Sequence, residues 1–218
     1  REIQDVQTRL EAPNALLREE GEVKKRLLAA QTNQALFEQL DQDMERRITS
    51  LAHLIETLPE AEHPRNLTAY ITLCLCHIKR RMNLFFLARQ GESLPGDELG
   101  MYMDELAELG RYGGLRTLLR CGQIGALEIR SAALCYDFAF EAMSWTLGEE
   151  ASPLMGYLEI EGTQLVFRFL PGGDPGRWQF SRELMAAVSA LGGEIVCKDL
   201  DDAYGICLTV PLGGESCG

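Results

Sequence analysis

The chain has 218 residues, enough for one large domain or two small ones. With 46% hydrophobic and 25% charged residues it has a globular composition, which excludes disorder as its main state. Acidic residues outnumber basic ones by 33 to 21, a net charge of −12 that argues against nucleic-acid binding, and no apolar run approaches the roughly 18 residues of a membrane span.

Residues 1–21 read as an incoming linker helix, apolar at Ile3, Val6, Leu10 and Leu17 and interrupted at Pro13 and Gly21. A heptad follows. One series is Val23, Ala30, Phe37, Met44, Leu51 and Leu58; the other is Leu27, Gln34, Asp41, Ile48 and Ile55. Spacing that alternates by four and three is the seam of a left-handed supercoil. Leu28, Leu36, Leu40 and Leu54 widen the stripe toward what a four-helix bundle needs. A helix over residues 22–59 would be about 57 Å long, and Pro59 with the run 60–64 ends it. A second helix over 64–90 carries Leu67, Ile71, Cys74, Ile78, Met82 and Phe85 on one face. The short return makes the pair an antiparallel hairpin. One hairpin cannot cover its own stripe, so two chains pairing as a homodimer are expected to complete the bundle.

The pattern changes after the loop 91–96. A short helix over 97–109 precedes a strand over 115–121. An amphipathic helix runs over 129–147, and strands over 154–160 and 163–170 meet at Glu161-Gly162 as a tight hairpin. A Gly/Pro-rich loop covers 171–176, a helix covers 180–191, and strands over 194–198 and 204–210 complete the set. One mixed sheet with helices on one face is the natural layering, making the whole chain α+β. The domains expected are therefore 1–21, 22–92 and 93–218.

Seven cysteines without a CxxC pair, and three histidines (His53, His63, His77) apart from them, give no metal-ligand spacing. They read as reduced, mostly buried thiols. The chain shows no secretory leader, and because it opens on Arg1 a longer parent protein is expected.

A helical hairpin followed by this order of strands and helices resembles a sensor histidine kinase, over residues 22–212. The hairpin is similar to the dimerisation and phosphoacceptor domain, and the remainder to a reduced ATP-binding domain of the GHKL superfamily. Three stretches carry the resemblance: Gln39 to Arg47 at the phosphoacceptor motif, Cys76 to Leu84 in the second helix, and Leu134 to Ala142 in the helix of the asparagine box.

The resemblance implies four chemical requirements. A phosphoacceptor imidazole is needed where this chain has Asp41, which reads instead as a polar seam residue specifying register. His53, off the seam, is the one substitute and reads first as a surface histidine; His77 reads as a helix-surface or packing residue. A magnesium site needs Glu and, four residues on, Asn. Glu141 matches the first and reads as a solvated residue, while Trp145 stands at the second and offers no oxygen to a hard cation. An adenine loop should read Asp-x-Gly-x-Gly, and Leu170 to Gly176 holds glycines and Asp174 in another order, which ordinary turn chemistry explains. A phosphate-gripping lid does not fit in the roughly ten residues before the next helix.

These departures together point to a fold kept and a chemistry discarded. The first reading is a catalytically impaired, histidine-kinase-like signalling protein acting through dimerisation and protein interaction, with a response regulator or another signalling protein as partner. It would be cytoplasmic, or the soluble part of a membrane-anchored sensor whose membrane segment lies upstream. No cofactor is expected under it; ATP with magnesium belongs to the alternative, an active divergent kinase or a phosphotransferase with phospho-His at His53. A third reading is a structural coiled-coil protein with an unrelated C-terminal domain. Trp145 is expected to pack beneath the loop Pro171 to Gly176, in space that adenine or magnesium would need.

Overall fold

The computed structural model describes Lys24 and residues 45–148, 153–172, 178–200 and 203–212. It comprises two compact units, Arg1–Ser50 and Leu51–Gly218. In the first, Lys24 and residues 45–50 are helical, with the Thr49 and Ser50 hydroxyls donating to the carbonyls of Glu45 and Arg46 one turn back. The expected linker helix over 1–21, the seam from Val23 to Met44 apart from Lys24 beside it, and Asp41 lie outside the described residues.

The second unit opens with helical residues 51–57 (α1), which tighten into a 3₁₀ turn at Leu58–Glu60 with Pro59 inside it. Pro64–Gln90 forms α2, with Pro64 at its first position. It stops at Gly91, whose φ of 71° lies in the left-handed region that glycine reaches without strain. The N–H of Glu92 then donates to the carbonyl of Leu87 at 3.2 Å.

The buried face of α2 differs from the expected stripe. Ala69, Leu73, Cys76, His77 and Leu84 go inward against α3 (Gly96–Tyr112) and α4 (Ile129–Gly148), whereas of the six predicted residues only Ile71 is buried and Met82 is exposed. The helix carries two apolar faces, and the one with small residues at positions 69 and 76 is the one that meets other helices closely.

Five strands make the main sheet: β2 (Thr117–Cys121), β4 (Leu154–Glu161), β5 (Gln164–Pro171), β6 (Glu194–Leu200) and β7 (Ala203–Pro211). Their order is β2-β4-β5-β7-β6, with β2 parallel to β4 and every other pair antiparallel. The mixed α+β class is therefore as expected. Two short strands were not: β1 (Ser93–Leu94) pairs with β3 (Leu127–Glu128) as a separate ladder.

Period-two alternation fixes which face goes in. Leu119, Leu154, Leu158, Phe167, Phe169, Ile206 and Leu208 are all buried beneath the helices. Leu118, Met155, Tyr157 and Leu170 face the other way and are exposed. Gly156 belongs to the inner set because a Cβ there would stand 2.7 Å from both Leu119 and Phe169. The helix α4 is buried on most of its circumference. Ala132, Ala139 and Ala142 admit close neighbours, while Leu134, Phe138 and Met143 fill the space between. The last helix, α5 (Arg182–Ala190), packs on α4 and β6.

The thiols depart in part from expectation. Of the six described, Cys76 and Cys135 are buried, Cys74, Cys121 and Cys207 half-buried, and Cys197 exposed on the edge strand β6.

Candidate functional site

Two of the residues singled out from sequence, Glu141 and Trp145, lie on the C-terminal half of α4, where one helix face meets the start of α5. Glu141 is not a solvated helix residue, as the sequence suggested. Its carboxylate is half-buried and taken up by a single partner: the Ser181 N–H donates to Oε2 at 3.0 Å, and the Ser181 hydroxyl donates to Oε1. Ser181 is the N-cap of α5, where its Oγ accepts the Leu184 N–H at 3.0 Å. Burial pushes the Glu141 carboxyl up, the two bonds from Ser181 hold it down, and the charges of Asp137 and Glu183 add to the rise. The carboxylate thus serves as the tie that fixes α5 on α4.

One turn further on, Trp145 is half-buried and lies nearly parallel to Trp178, with centroids 5.7 Å apart and planes at 14°. Trp178 is 8% exposed. Its ring also stacks on Phe138 at 5.9 Å and leans on Phe180 at 4.6 Å. Phe138 in turn meets Phe167 and Phe169 of β5 edge-on, at 5.9 and 5.2 Å. This end of α4 is therefore filled by a continuous aromatic block running from the sheet to Trp145. The loop beneath which Trp145 was expected to sit is only partly described: residues 173–177, Asp174 among them, lie outside the described residues, and the partner that the structure gives Trp145 is Trp178. Residues 172–181 separate β5 from α5.

His53 stands apart from this block. It is 76% exposed on α1, and its Nδ1 lies 3.9 Å from Glu56, one turn along. His77, read as a helix-surface or packing residue, is a packing residue and one of the few buried polar side chains among the described residues. Its Nε2 lies 2.8 Å from Asp137 Oδ1, and its ring stacks on Phe140 at 4.0 Å. Arg81 approaches the same carboxylate oxygen at 3.3 Å. Beside it Arg80 donates to Glu105 at 2.7 Å and lies 4.2 Å over the Tyr102 ring. These pairs tie α2 to α3 and α4.

A magnesium–nucleotide group would need free oxygen donors on α4. Both oxygens of Glu141 are engaged with Ser181, and position 145 presents an indole held against Trp178. Among the described residues no group of three or more His, Cys, Asp or Glu could hold a metal ion, and no described helix is long and apolar enough to cross a membrane.

Sequence reasoning missed Trp178, Ser181 and the pairing of His77 with Asp137. The Ser181-Arg182-Glu183-Leu184 stretch carries a readable cap signal, an Ncap serine ahead of an apolar-periodic run. Trp178 and Phe180 are an aromatic pair without periodicity, and His77 and Asp137 are 60 positions apart, so neither had a local signal.

No protein-family profile and no curated protein matches the sequence. Among solved structures, the chain is similar to a histidine kinase domain from the Erythrobacter litoralis blue-light activated histidine kinase, at 14% identity over 77% of this chain and 94% of that one, with a TM-score of 0.49. It is also similar to the Acinetobacter baumannii histidine kinase AdeS, at 10% identity over 78% and 98% with a TM-score of 0.41. A bacterial phosphotransferase gives 12% identity over 78% and 91%, with a TM-score of 0.44. At such identities and TM-scores the likeness decides nothing about chemistry, which rests on the residues themselves.

Proposed function

We propose that this chain is a histidine-kinase-like signalling protein that works by dimerisation and protein docking, not by phosphoryl transfer from ATP. The observation that carries this reading is the occupied end of α4. Glu141 is consumed in capping α5, and Trp145 with Trp178 forms a packed block where oxygen ligands and open space would be needed.

Exposed apolar side chains on two helices support the dimer. Ile55 of α1 and Leu75, Met82 and Phe86 of α2 are large and uncovered in the single chain. Leu75, Met82 and Phe86 recur at seven and four, one stripe on one face. Pairing two such hairpins as a four-helix bundle would cover it. A response regulator or a similar signalling domain is the partner such a bundle would serve, in the cytoplasm.

A second reading has one observation in its favour. His53 is exposed on α1 and so open to a partner's active site, as a phosphotransferase relaying a phosphoryl group through phospho-His would require. Incubating the full chain with γ-labelled Mg-ATP, and separately with a phosphorylated receiver domain, tests both. The first reading predicts no acid-labile label from either donor. Label from the receiver that disappears in His53→Ala establishes the second, and label from ATP overturns the first.

A further inference from the structure

The helices cover one face of the main sheet, and among the described residues no element covers the other. That outer face is organised in rows across the strands. Leu118, Met155 and Leu170 are in register on β2, β4 and β5, making an apolar row. Next to it lie Arg120, Tyr157, Arg168, Cys207 and Val196, from β2 across to β6. Leu118, Met155 and Tyr157 are 46%, 44% and 44% exposed, well beyond what single scattered surface residues require. A groove of about 690 Å³ runs over this face, lined by Leu118, Arg120, Met155, Tyr157, Arg168 and Leu170 and reaching Lys198.

The charges on this face are sorted. Arg168 is held at 2.5 and 2.6 Å by Glu159 and Glu161, toward one end of the strands. Arg120 on β2 and Lys198 on β6 flank the apolar floor and make no ion pair or hydrogen bond among the described residues. In a chain of net charge −12, two cations that make no ion pair among the described residues, at either side of an apolar groove, are a local inversion of sign.

We propose that this outer face docks an amphipathic helix of a partner protein, one with carboxylates at both ends of its apolar stripe. Five strands at about 4.8 Å spacing put β2 and β6 some 19 Å apart. A helix lying across them covers that distance in about 13 residues. Its apolar side chains, at i, i+3, i+4 and i+7, would meet Leu118, Met155, Tyr157 and Leu170, with acidic residues facing Arg120 and Lys198. The net charge of −12 disfavours an anionic bilayer, and two cations are too few for a phosphate backbone.

The test uses the full chain and two synthetic helical peptides of about 14 residues with the same leucine stripe, one flanked by Glu and the other by Lys. Binding is followed by calorimetry and by amide shifts in isotope-labelled protein. The Glu peptide is expected to bind and to shift the amides of Leu118, Arg120, Met155 and Tyr157. Arg120→Glu should weaken it at least about tenfold and turn the preference toward the Lys peptide. Arg120 is exposed, so the variant's thermal midpoint should match the parent's. Met155→Asp, also at an exposed position, should abolish binding of both peptides. Equal binding of the two peptides, or none, overturns the proposal. So does self-association that Met155→Asp abolishes, which would make the occupant a second copy. Binding to phosphatidylserine vesicles without peptide binding would make it a membrane.

Discussion

Removing either indole of the α4–α5 block gives two losses of different size, and the ratio between them is set by burial. Trp178 is nearly enclosed and touches Phe138, Trp145 and Phe180. Truncating it to Ala deletes a buried aromatic side chain and leaves a cavity, at about 3–5 kcal/mol. Each of its ring pairs adds about 0.5–1.5 kcal/mol beyond area, which places Trp178→Ala near the upper end of that range. Trp145 is half-buried and, among the described residues, has Trp178 as its one stacked partner. About half the burial and one ring pair give roughly 2 kcal/mol for Trp145→Ala. Urea unfolding of the full chain supplies both numbers. A second readout is available because the chain has only these two tryptophans. At 5.7 Å their transitions are close enough to couple, and any couplet in the parent's far-ultraviolet circular dichroism should vanish in either variant. Equal costs for the two variants would refute the packed block.

Other consequences follow from single contacts. Burial raises the Glu105 carboxyl, but the hydrogen bonds from Arg80 and Cys76 and the charges of Arg80 and Lys79 outweigh it and hold the group below its ordinary range. A depressed carboxyl contributes stability above its unfolded pKa and loses it as pH falls through the folded one. The urea midpoint of Arg80→Gln should therefore lie below the parent's at neutral pH and converge with it in acid; a pH-independent gap would contradict the pairing. Glu141 has the opposite sign, since its folded pKa is raised. Its cost to stability grows as pH rises through the window above the ordinary value of 4.5, so Glu141→Gln should gain on the parent over that window in the same assay. Gly156→Val places a side chain 2.7 Å from Leu119 and Phe169 and should destabilise by about 1–3 kcal/mol through overpacking, read from thermal unfolding. Ile55→Asp with Leu75→Asp puts charges on exposed positions, so light scattering should show folded monomers in place of dimers; a persistent dimer would place the interface elsewhere.

The elements were legible where one periodicity dominated. β2 and the first half of β4 alternate cleanly, whereas β5 buries Leu165, Val166 and Phe167 in succession; the hairpin at Glu161-Gly162 was readable from its glycine, which takes φ 61° at the turn. The helix α4 was read as amphipathic over 129–147, and the structure buries it on most of its circumference. Two things were not legible. A helix with two apolar faces does not say which one it buries, so α2 was assigned the stripe through Met82 when Ala69, Leu73 and Leu84 go inward. Partners distant in sequence leave no local trace, and that concealed both the cap of Ser181 on Glu141 and the burial of His77 on Asp137. Glu141 shows the consequence. Its position on the helix was readable, but its chemistry depended on a residue 40 positions away.

Under the proposed function, the aromatic block at the end of α4 leaves no site there for nucleotide. Thermal unfolding of the full chain with and without millimolar Mg-ATP tests it most directly. A ligand at about 100 times its dissociation constant would add about 2.7 kcal/mol to the stability of a binding-competent fold. No shift is expected in the parent, and none in Trp145→Asn beyond the loss of packing. A saturable, magnesium-dependent rise in the parent's unfolding temperature would contradict it.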